Sequence, residues 1–589
     1  MKPLVTFLIA LFWGCLAVAQ SPDRSKDPIV VPGSDLPCFT GIPGLLPGDI
    51  VGFRFDGANL VQIPIQIDEV LVTQIEAPWG PNGCRGSKKP VPWDVPFYAD
   101  PLTYIGADPD PSFDANDELA FMARDAGPQI NTCISPPSGT TGDPCEVTLQ
   151  DPISNTVLGY IYLFRRSGNL SPGAGADLVT YNFGFGNYDM SDYRTRYDEC
   201  NGLLNLENST ISTNNYFLRF TGRWTESELK INAPGANGLD ILDRHQAFIT
   251  PTNCNRTEEV FSATNGPIIA TIDGPVRAIR SVMGAVSGAY VQLDIACSEH
   301  RVDYAFDYRL HTISGGGGFH DVYDLEPANA SGMQFYSTSV PNGVTINGVA
   351  DAVPSTYSTW QMVTGAPGSI VAGFDYDTDM SIGTPSQQAM GAVEGGVGSY
   401  YDDAGGAGNH LCTGDNQAFG SSGFFLTTDL CTDRKFGGGN CGPNVRYFSS
   451  TRSHYLLSPG ITPSQAQTYA EFARNPIQAT GTLTALASFC GGNNYTVSTS
   501  SAPSNGGSTS GGGTFASGTN VTVTATPASG FTFSNWTEGG NVVSTNASYA
   551  FVLSAYRSLV ANFAATTSIY PVCTSSAPSN GGSTSGGGT

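Results

Sequence analysis

Five carboxylates fall within eleven residues of this chain, in Asp108-Pro-Asp110-Pro-Ser112-Phe-Asp114-Ala-Asn116-Asp117-Glu118. Oxygen ligands at every second position can converge on a hard cation, and Ca2+ takes about six to eight of them. Asp108, Asp110, Asp114, Asn116 and Glu118 are therefore the candidate metal ligands, with Ca2+ in a structural role. The loop departs from an EF-hand, with Phe113 where the turn glycine belongs and Leu119 in place of the closing glutamate. The competing account is a solvated acidic turn that leads into the strand Leu119-Ala-Phe-Met122.

A second set of reactive side chains lies between Arg301 and His311. In an extended chain, Val302, Tyr304, Phe306, Tyr308 and Leu310 share one face, and Arg301, Asp303, Ala305, Asp307, Arg309 and His311 share the other. Gly315 to Gly318 and then Phe319-His320-Asp321 follow. An arginine fork suits a carboxylate such as a uronate. A histidine base and a carboxylic acid could then run lyase or hydrolase chemistry. Asp307, Arg309, His311 and His320 are the candidate catalytic residues. The bland alternative is a cross-strand charge ladder on a wet sheet face. Asp375, Asp377 and Asp379, and the pair Asp402-Asp403, invite the same choice between a cation or sugar groove and a polar outer face. Trp224, Trp360, Tyr400, Tyr401 and Trp536 are either sugar-stacking or core residues.

Other chemistries lack a motif. No GxSxG, no GxGxxG after a strand and no GxxxxGK[ST] occurs, so no nucleotide or redox cofactor is expected. The six histidines form no HxH or HExxH, and no CxxC exists. The 27 basic and 51 acidic residues give a net charge of −24, which would repel nucleic-acid phosphates.

The elements that carry these residues are strands: short runs rich in Val, Ile, Tyr, Phe and Thr between Gly, Pro, Asn and Asp. A meander is expected over Val276–Met283, Tyr290–Cys297 and Arg301–His311. One helix is expected, with Thr462 as N-cap, Pro463 at its first position and a stripe of Ala466, Tyr469, Ala470 and Ala473 before Asn475-Pro476. The fold class is all-β: antiparallel β-sandwich domains followed by a small β module. Ser171 to Ala176 has linker composition, so the domains are set at 20–175 and 176–490. The long alternating strand, with Gly274-Pro-Val-Arg-Ala-Ile-Arg280 before it, resembles the β-supersandwich of mutarotase-like carbohydrate enzymes over some forty residues, without a diagnostic motif.

The ends place the protein in the cell. Lys2, an apolar run from Leu4 to Val18 and Ala17-Val-Ala19 before Gln20 make residues 1–19 a signal peptide, too short for a membrane anchor. No later run is long enough to span a bilayer. Export makes the cysteines disulfide candidates. Cys133 with Cys145 and Cys431 with Cys441 each bracket a short loop and are the expected local pairs.

Tyr495-Thr-Val-Ser-Thr-Ser-Ser-Ala-Pro-Ser-Asn-Gly-Gly-Ser-Thr-Ser-Gly-Gly-Gly-Thr514 returns almost unchanged at Tyr570–Thr589, a period of 75 residues. The module is set at 491–566 and a truncated second copy at 567–589, as expected of a piece of a longer array. With Val521, Val523 and Ala525 alternating against threonines, and Gly530-Phe-Thr-Phe-Ser-Asn-Trp536, the module resembles the bacterial extracellular repeat related to the internalin B-repeat. That resemblance implies a small β-fold serving as a spacer or surface stalk. From 495 onward the chain has one acid, Glu538, and one base, Arg557.

Two functions follow as expectations. The first is a secreted or cell-surface scaffold for adhesion or envelope structure, displayed on repeat modules and meeting an extracellular polysaccharide or a cell-surface component. The second is a secreted carbohydrate-active enzyme, a polysaccharide lyase or hydrolase.

Overall fold

The computed structural model describes residues 22–566 except 75, 79–87, 91–93, 104, 132–133, 185–206, 251–256, 259–267, 284–290, 309–317, 355, 379–380, 383–395, 405–417, 428–447, 485–494, 516–518 and 554. The chain forms two compact units. One runs to Gln129 and resumes over Ser138–Leu483; the other comprises Ile130–Pro137 and everything from Thr484. The expected break at 175/176 lies inside the first unit.

That unit is built of antiparallel sheets, as the alternation predicts, apart from one short parallel pair, Ser381–Ile382 beside Gly396–Asp402. Its spine is a nine-stranded sheet in the order Ile268–Asp273, Arg277–Met283, Val291–Ser298, Arg301–Tyr308, Phe448–Leu457, Gly368–Thr378, Trp360–Gly365, Gln334–Ser337 and Val340–Thr345. The meander pairs as expected, with Arg277 opposite Ser298 and Leu293 opposite Phe306. A five-stranded sheet holds Leu242–Thr250, Gly318–Leu325, Ser421–Thr427, Gly396–Asp402 and Ser381–Ile382, and a four-stranded sheet holds Val179–Asn182, Ser209–Thr213, Tyr216–Gly222 and Thr225–Ile231. One apolar cluster joins all three sheets, including Leu218, Leu229, Val302, Phe306, Phe319, Phe424 and Ile370. Burial of this apolar face is the main force holding the sandwich.

The N-terminal part has a second apolar cluster, with Ile29, Val31, Phe121, Val147 and Ile161. Its five-stranded sheet is closed by Gln478–Leu483, which pairs with Thr140–Asp151. A strand more than 300 residues away in sequence thus completes the sheet. The Cys145 thiol is bonded to Cys38, with Cα atoms 5.9 Å apart, and not to Cys133. Cys145 lies on the buried side of its strand, which the turn carrying Cys38 also meets. Cys133, Cys431 and Cys441 lie outside the described residues. Cys297 is a free, buried thiol.

The helix is Pro463–Arg474, with a reciprocal cap: Gln465 N donates to Thr462 Oγ1 at 3.4 Å and Thr462 N to Gln465 Oε1 at 2.9 Å. Ala466, Tyr469 and Ala470 are buried against Trp360, Val371 and Tyr455. No helix among the described residues is long and apolar enough to cross a membrane.

In the second unit, a five-stranded and a three-stranded sheet enclose Val497, Val521, Val523, Ala525, Trp536, Leu559 and Phe563. Tyr495–Ala502 runs parallel to Arg557–Ala565, so the first and last long strands lie side by side. Val521, Val523 and Ala525 point inward, as their alternation predicts.

Candidate functional site

The structure separates the candidate catalytic residues. Arg301–Tyr308 buries Val302, Tyr304 and Phe306 against the sandwich core. Asp307 is on the reverse face, opposite Gln292 and Ser449. His320 is on the outer face of the other sheet, since Phe319, Asp321 and Tyr323 alternate inward. There its ring is stacked between Phe248, 4.6 Å away, and Phe425, 5.4 Å away, with Tyr400 edge-on. Asp307 and His320 therefore stand on opposite outer faces and do not share a site. Arg309 and His311 lie outside the described residues.

The polar face that begins at Arg301 is not a wet one. Arg301 is only 8% exposed; it pairs with Asp303 at 3.0 Å, and its Nη1 donates to the Tyr455 hydroxyl at 3.3 Å. Tyr455 in turn donates to Asp27 at 2.6 Å. The N-terminal segment and the helix cover its Arg301 end, while Asp303, Ala305 and Asp307 stay half-buried.

The acidic loop does not assemble its five expected ligands. Glu118 Oε2 accepts from the Tyr98 hydroxyl at 2.9 Å and from Arg277 Nη2 at 2.5 Å. Asp108 and Asp114 each accept a backbone N–H two residues on, from Asp110 and Asn116, which are the bonds of successive turns. Asp110 accepts from Ser112, and the Asn116 amide donates to the Val70 carbonyl. Asp117, absent from the expected set, is buried and accepts from Val70 N and Asp114 N. Glu69, carrying the unpartnered Oε2, faces this group: burial, then the charges of Asp117, Asp108, Asp114 and Asp110, push it up to about 7. Among the described residues, no three His, Cys, Asp or Glu side chains are placed to hold a metal ion. Asp403 is also committed, to the backbone N–H groups of Asn347, Gly348 and Gly420. Trp224, Trp360 and Trp536 are buried.

The polar cluster that does form lies elsewhere, and no spacing motif announces it. Phe448–Leu457 lies between Arg301–Tyr308 and Gly368–Thr378, with Arg452 opposite Tyr304 and His454 opposite Val302. Both side chains therefore point into the sandwich. From the facing sheet come His245, Asp321 and Tyr323, and from Thr225–Ile231 comes Glu226. Arg452 pairs with Asp321, and its Nη2 lies 3.0 Å from His245 Nε2; His245 is 3.1 Å from Asp321. Tyr304 and Tyr323 each donate to Glu226 at 2.8 Å. The Arg452 guanidinium lies over both tyrosine rings, at 4.9 and 5.2 Å.

Burial raises Glu226, although His245 and the two tyrosines oppose the shift. Burial opposes the Arg452 charge, but Asp321 and its neighbours more than restore it. Burial, then Arg452 and His245, holds His454 well below 6.5, so its imidazole is neutral. His454 Nδ1 has no hydrogen-bond partner, and the residue borders a cavity of about 20 Å³ with Tyr323, Gln361 and Ser422. One water needs roughly 10–15 Å³. The cavity has room for a water and not for a sugar ring. An acid, a histidine and an arginine in contact are the parts of proton-transfer chemistry, but here they are bonded to one another.

A second ion pair is equally dry. Arg280 meets Glu207 at 2.5 and 2.9 Å, Tyr181 at 3.0 Å and the carbonyls of Gly222 and Arg223. For two of these residues the sequence signal is a charge at an apolar parity, Asp321 between Phe319 and Tyr323 and Arg280 between Ala278 and Val282; Arg452, between Ser450 and His454, carries no such signal.

Residues 495–567 match the family model of the divergent InlB B-repeat domain. The C-terminal module is a repeat of that kind. No curated protein matches the chain. Among solved structures, a putative aldose 1-epimerase from Escherichia coli K12 is similar at 8% identity, covering 42% of this chain and 98% of its own, with a TM-score of 0.22. The repeat family is of an extracellular type, which fits a secreted or surface protein.

Proposed function

We propose that this protein is an extracellular scaffold: a β-sandwich core displayed on B-repeat-like modules, meeting an extracellular polysaccharide or a cell-surface component without catalysing a reaction on it. The observation that supports this reading is the fate of the core's reactive side chains. His245, Asp321, Arg452, Glu226 and His454 are buried against one another, and Asp307 and His320 stand on opposite faces. The extracellular type of the repeat supports display.

The test is a turnover assay on the full chain, exported to an oxidising compartment and shown to be folded. Acidic and neutral polysaccharides are supplied with and without Ca2+, while new reducing ends and unsaturated-uronate absorbance are followed. No turnover is expected. Turnover on one glycan that disappears in His311→Ala or Asp307→Ala would overturn the scaffold reading in favour of a lyase or hydrolase.

A further inference from the structure

A cleft of about 530 Å³ opens inside the larger unit, where three proline- and glycine-bearing segments meet: Pro47-Gly48, Ser171–Gly173 and Gly274-Pro275. Its size is within the ~300–1,000 Å³ of small-molecule sites. Its floor is the strand Gln66–Asp68 with Ile65 before it.

The floor is built and rigid. The Gln66 side-chain carbonyl accepts from Val276 N at 3.2 Å and Arg277 N at 2.9 Å, and its amide donates to Asp68 at 2.8 Å. Arg277 donates to Asp68 through Nε at 2.9 Å and Nη2 at 2.8 Å, and also to Glu118. The walls are tied to it, since Ile65 N donates to Pro172 O at 3.0 Å and Leu178 N to Pro275 O at 2.9 Å. A side chain at Gly274 would collide with the Gln66 amide, its Cβ 2.2 Å away, so glycine lets the turn close onto the floor.

The charge in the cleft is one-sided. Asp177 and Asp273 are exposed on its walls, and no Lys, Arg or His is among the lining residues. The Arg277 charge behind the floor is taken up by Asp68 and Glu118. Asp273 commits one oxygen to Tyr181 N, at 2.8 Å. Pro47, Pro172, Pro275, Ile65, Ile67 and Ile272 supply its apolar lining, and Gln66, Asp68 and Ser171 the remaining polar side chains. Two carboxylates without a cation, over pyrrolidine and isoleucine surface, suit a ligand with an ammonium group, hydroxyl donors and a flat C–H face. An anionic uronate would be repelled.

We propose that this cleft binds the amino-sugar units of a glycan, with the ammonium between Asp177 and Asp273 and the C–H face of the ring on the prolines. The proposal rests on the scaffold reading only for the setting in which the protein meets glycans. Turnover would overturn that reading and leave binding here untouched; absence of binding would overturn this proposal alone.

The experiment is calorimetric titration of the full chain with glucosamine oligomers, N-acetylglucosamine oligomers, uniformly neutral glucose oligomers and a lysine tripeptide. Glucosamine oligomers should bind at least tenfold more tightly than the other three, and weaken with added salt. Asp177→Asn and Asp273→Asn should each weaken binding about tenfold. The amide oxygen that Asp273→Asn introduces can still accept from Tyr181 N, so the fold is kept. Gly48→Trp supplies a steric block, because a Cβ there meets nothing within 4 Å. It should abolish binding with no change in melting temperature. Absence of glucosamine-oligomer binding, or binding unaffected by all three substitutions, would overturn the proposal. Equal binding of the lysine tripeptide would overturn the sugar assignment.

Discussion

The repeat module fills its interior with Val497, Val521, Val523, Leu559, Phe563 and Trp536, and its Arg557–Glu538 pair stays near the surface. The larger unit buries the same kinds of side chain and adds Arg280, Glu207, Arg452, Asp321, His245 and Glu226, all under 4% exposed. A module of eight strands needs only one inside and one outside. The stacked sheets of the core bring strands from distant parts of the chain face to face, and ions placed there must find partners across the stack. An apolar interior tolerates many sequences of suitable volume; a buried charge demands one partner in one place. The two regions are thus held by forces of different specificity, and the contrast can be broken experimentally.

The largest effect is expected from Glu207→Ala. It leaves Arg280 buried without its carboxylate and should cost the core about 3–5 kcal/mol, read as an earlier urea midpoint while the module's transition stays in place. An unchanged midpoint would remove the contrast between the units. Trp536→Ala is the converse. It empties the centre of the module, whose Trp536 also donates to Ala547 O at 3.2 Å, and should cost about 3 kcal/mol there and nothing in the core. Cys38→Ser opens a bridge closing 107 residues of chain and should lower core stability by about 2–3 kcal/mol. Reducing agent should reproduce the loss in wild type.

A smaller effect concerns pH. Burial raises Asp294 to about 7, Glu69 to about 7 and Asp117 to about 6, against a usual aspartate value near 3.8 and a glutamate value near 4.5. The folded chain thus holds protons that the unfolded chain has released. The stability from these three groups is present below about pH 4 and is lost as pH rises through about 7. Asp294→Asn removes its share, so the variant should gain about 2 °C in Tm on wild type between pH 5 and 7.5. A constant difference across that range would show that Asp294 titrates normally. The smallest effect is expected of Glu538→Gln, below about 1 kcal/mol, because exposed ion pairs contribute little.

Local patterns were legible where the causes are local. The capping residues and stripe of Pro463–Arg474, the meander, and the inward alternation of Val521, Val523 and Ala525 follow from side-chain periods of 3.6 and 2. The candidate site was less legible. Alternation correctly split Arg301–Tyr308 into two faces, but it could not show that the Arg301 end of the charged face would be covered too, by Asp27 and the helix beneath Tyr455. Nor could spacing pair Cys145, because the sheet turns it toward Cys38.

Composition and neighbours a few residues apart suffice for the strand-rich class, the helix, the repeat with its period, and the excess of acid. Other features exist only in the folded chain. Gln478–Leu483 completes the N-terminal sheet, Arg452 meets Asp321, Arg280 meets Glu207, and Gln66, Asp177 and Asp273 line one cleft. Each joins residues from about 70 to more than 300 positions apart in the chain, and such contacts form only once the sheets have assembled. Burial then makes the choice of partner strict, because a charge out of water has no other way to be satisfied.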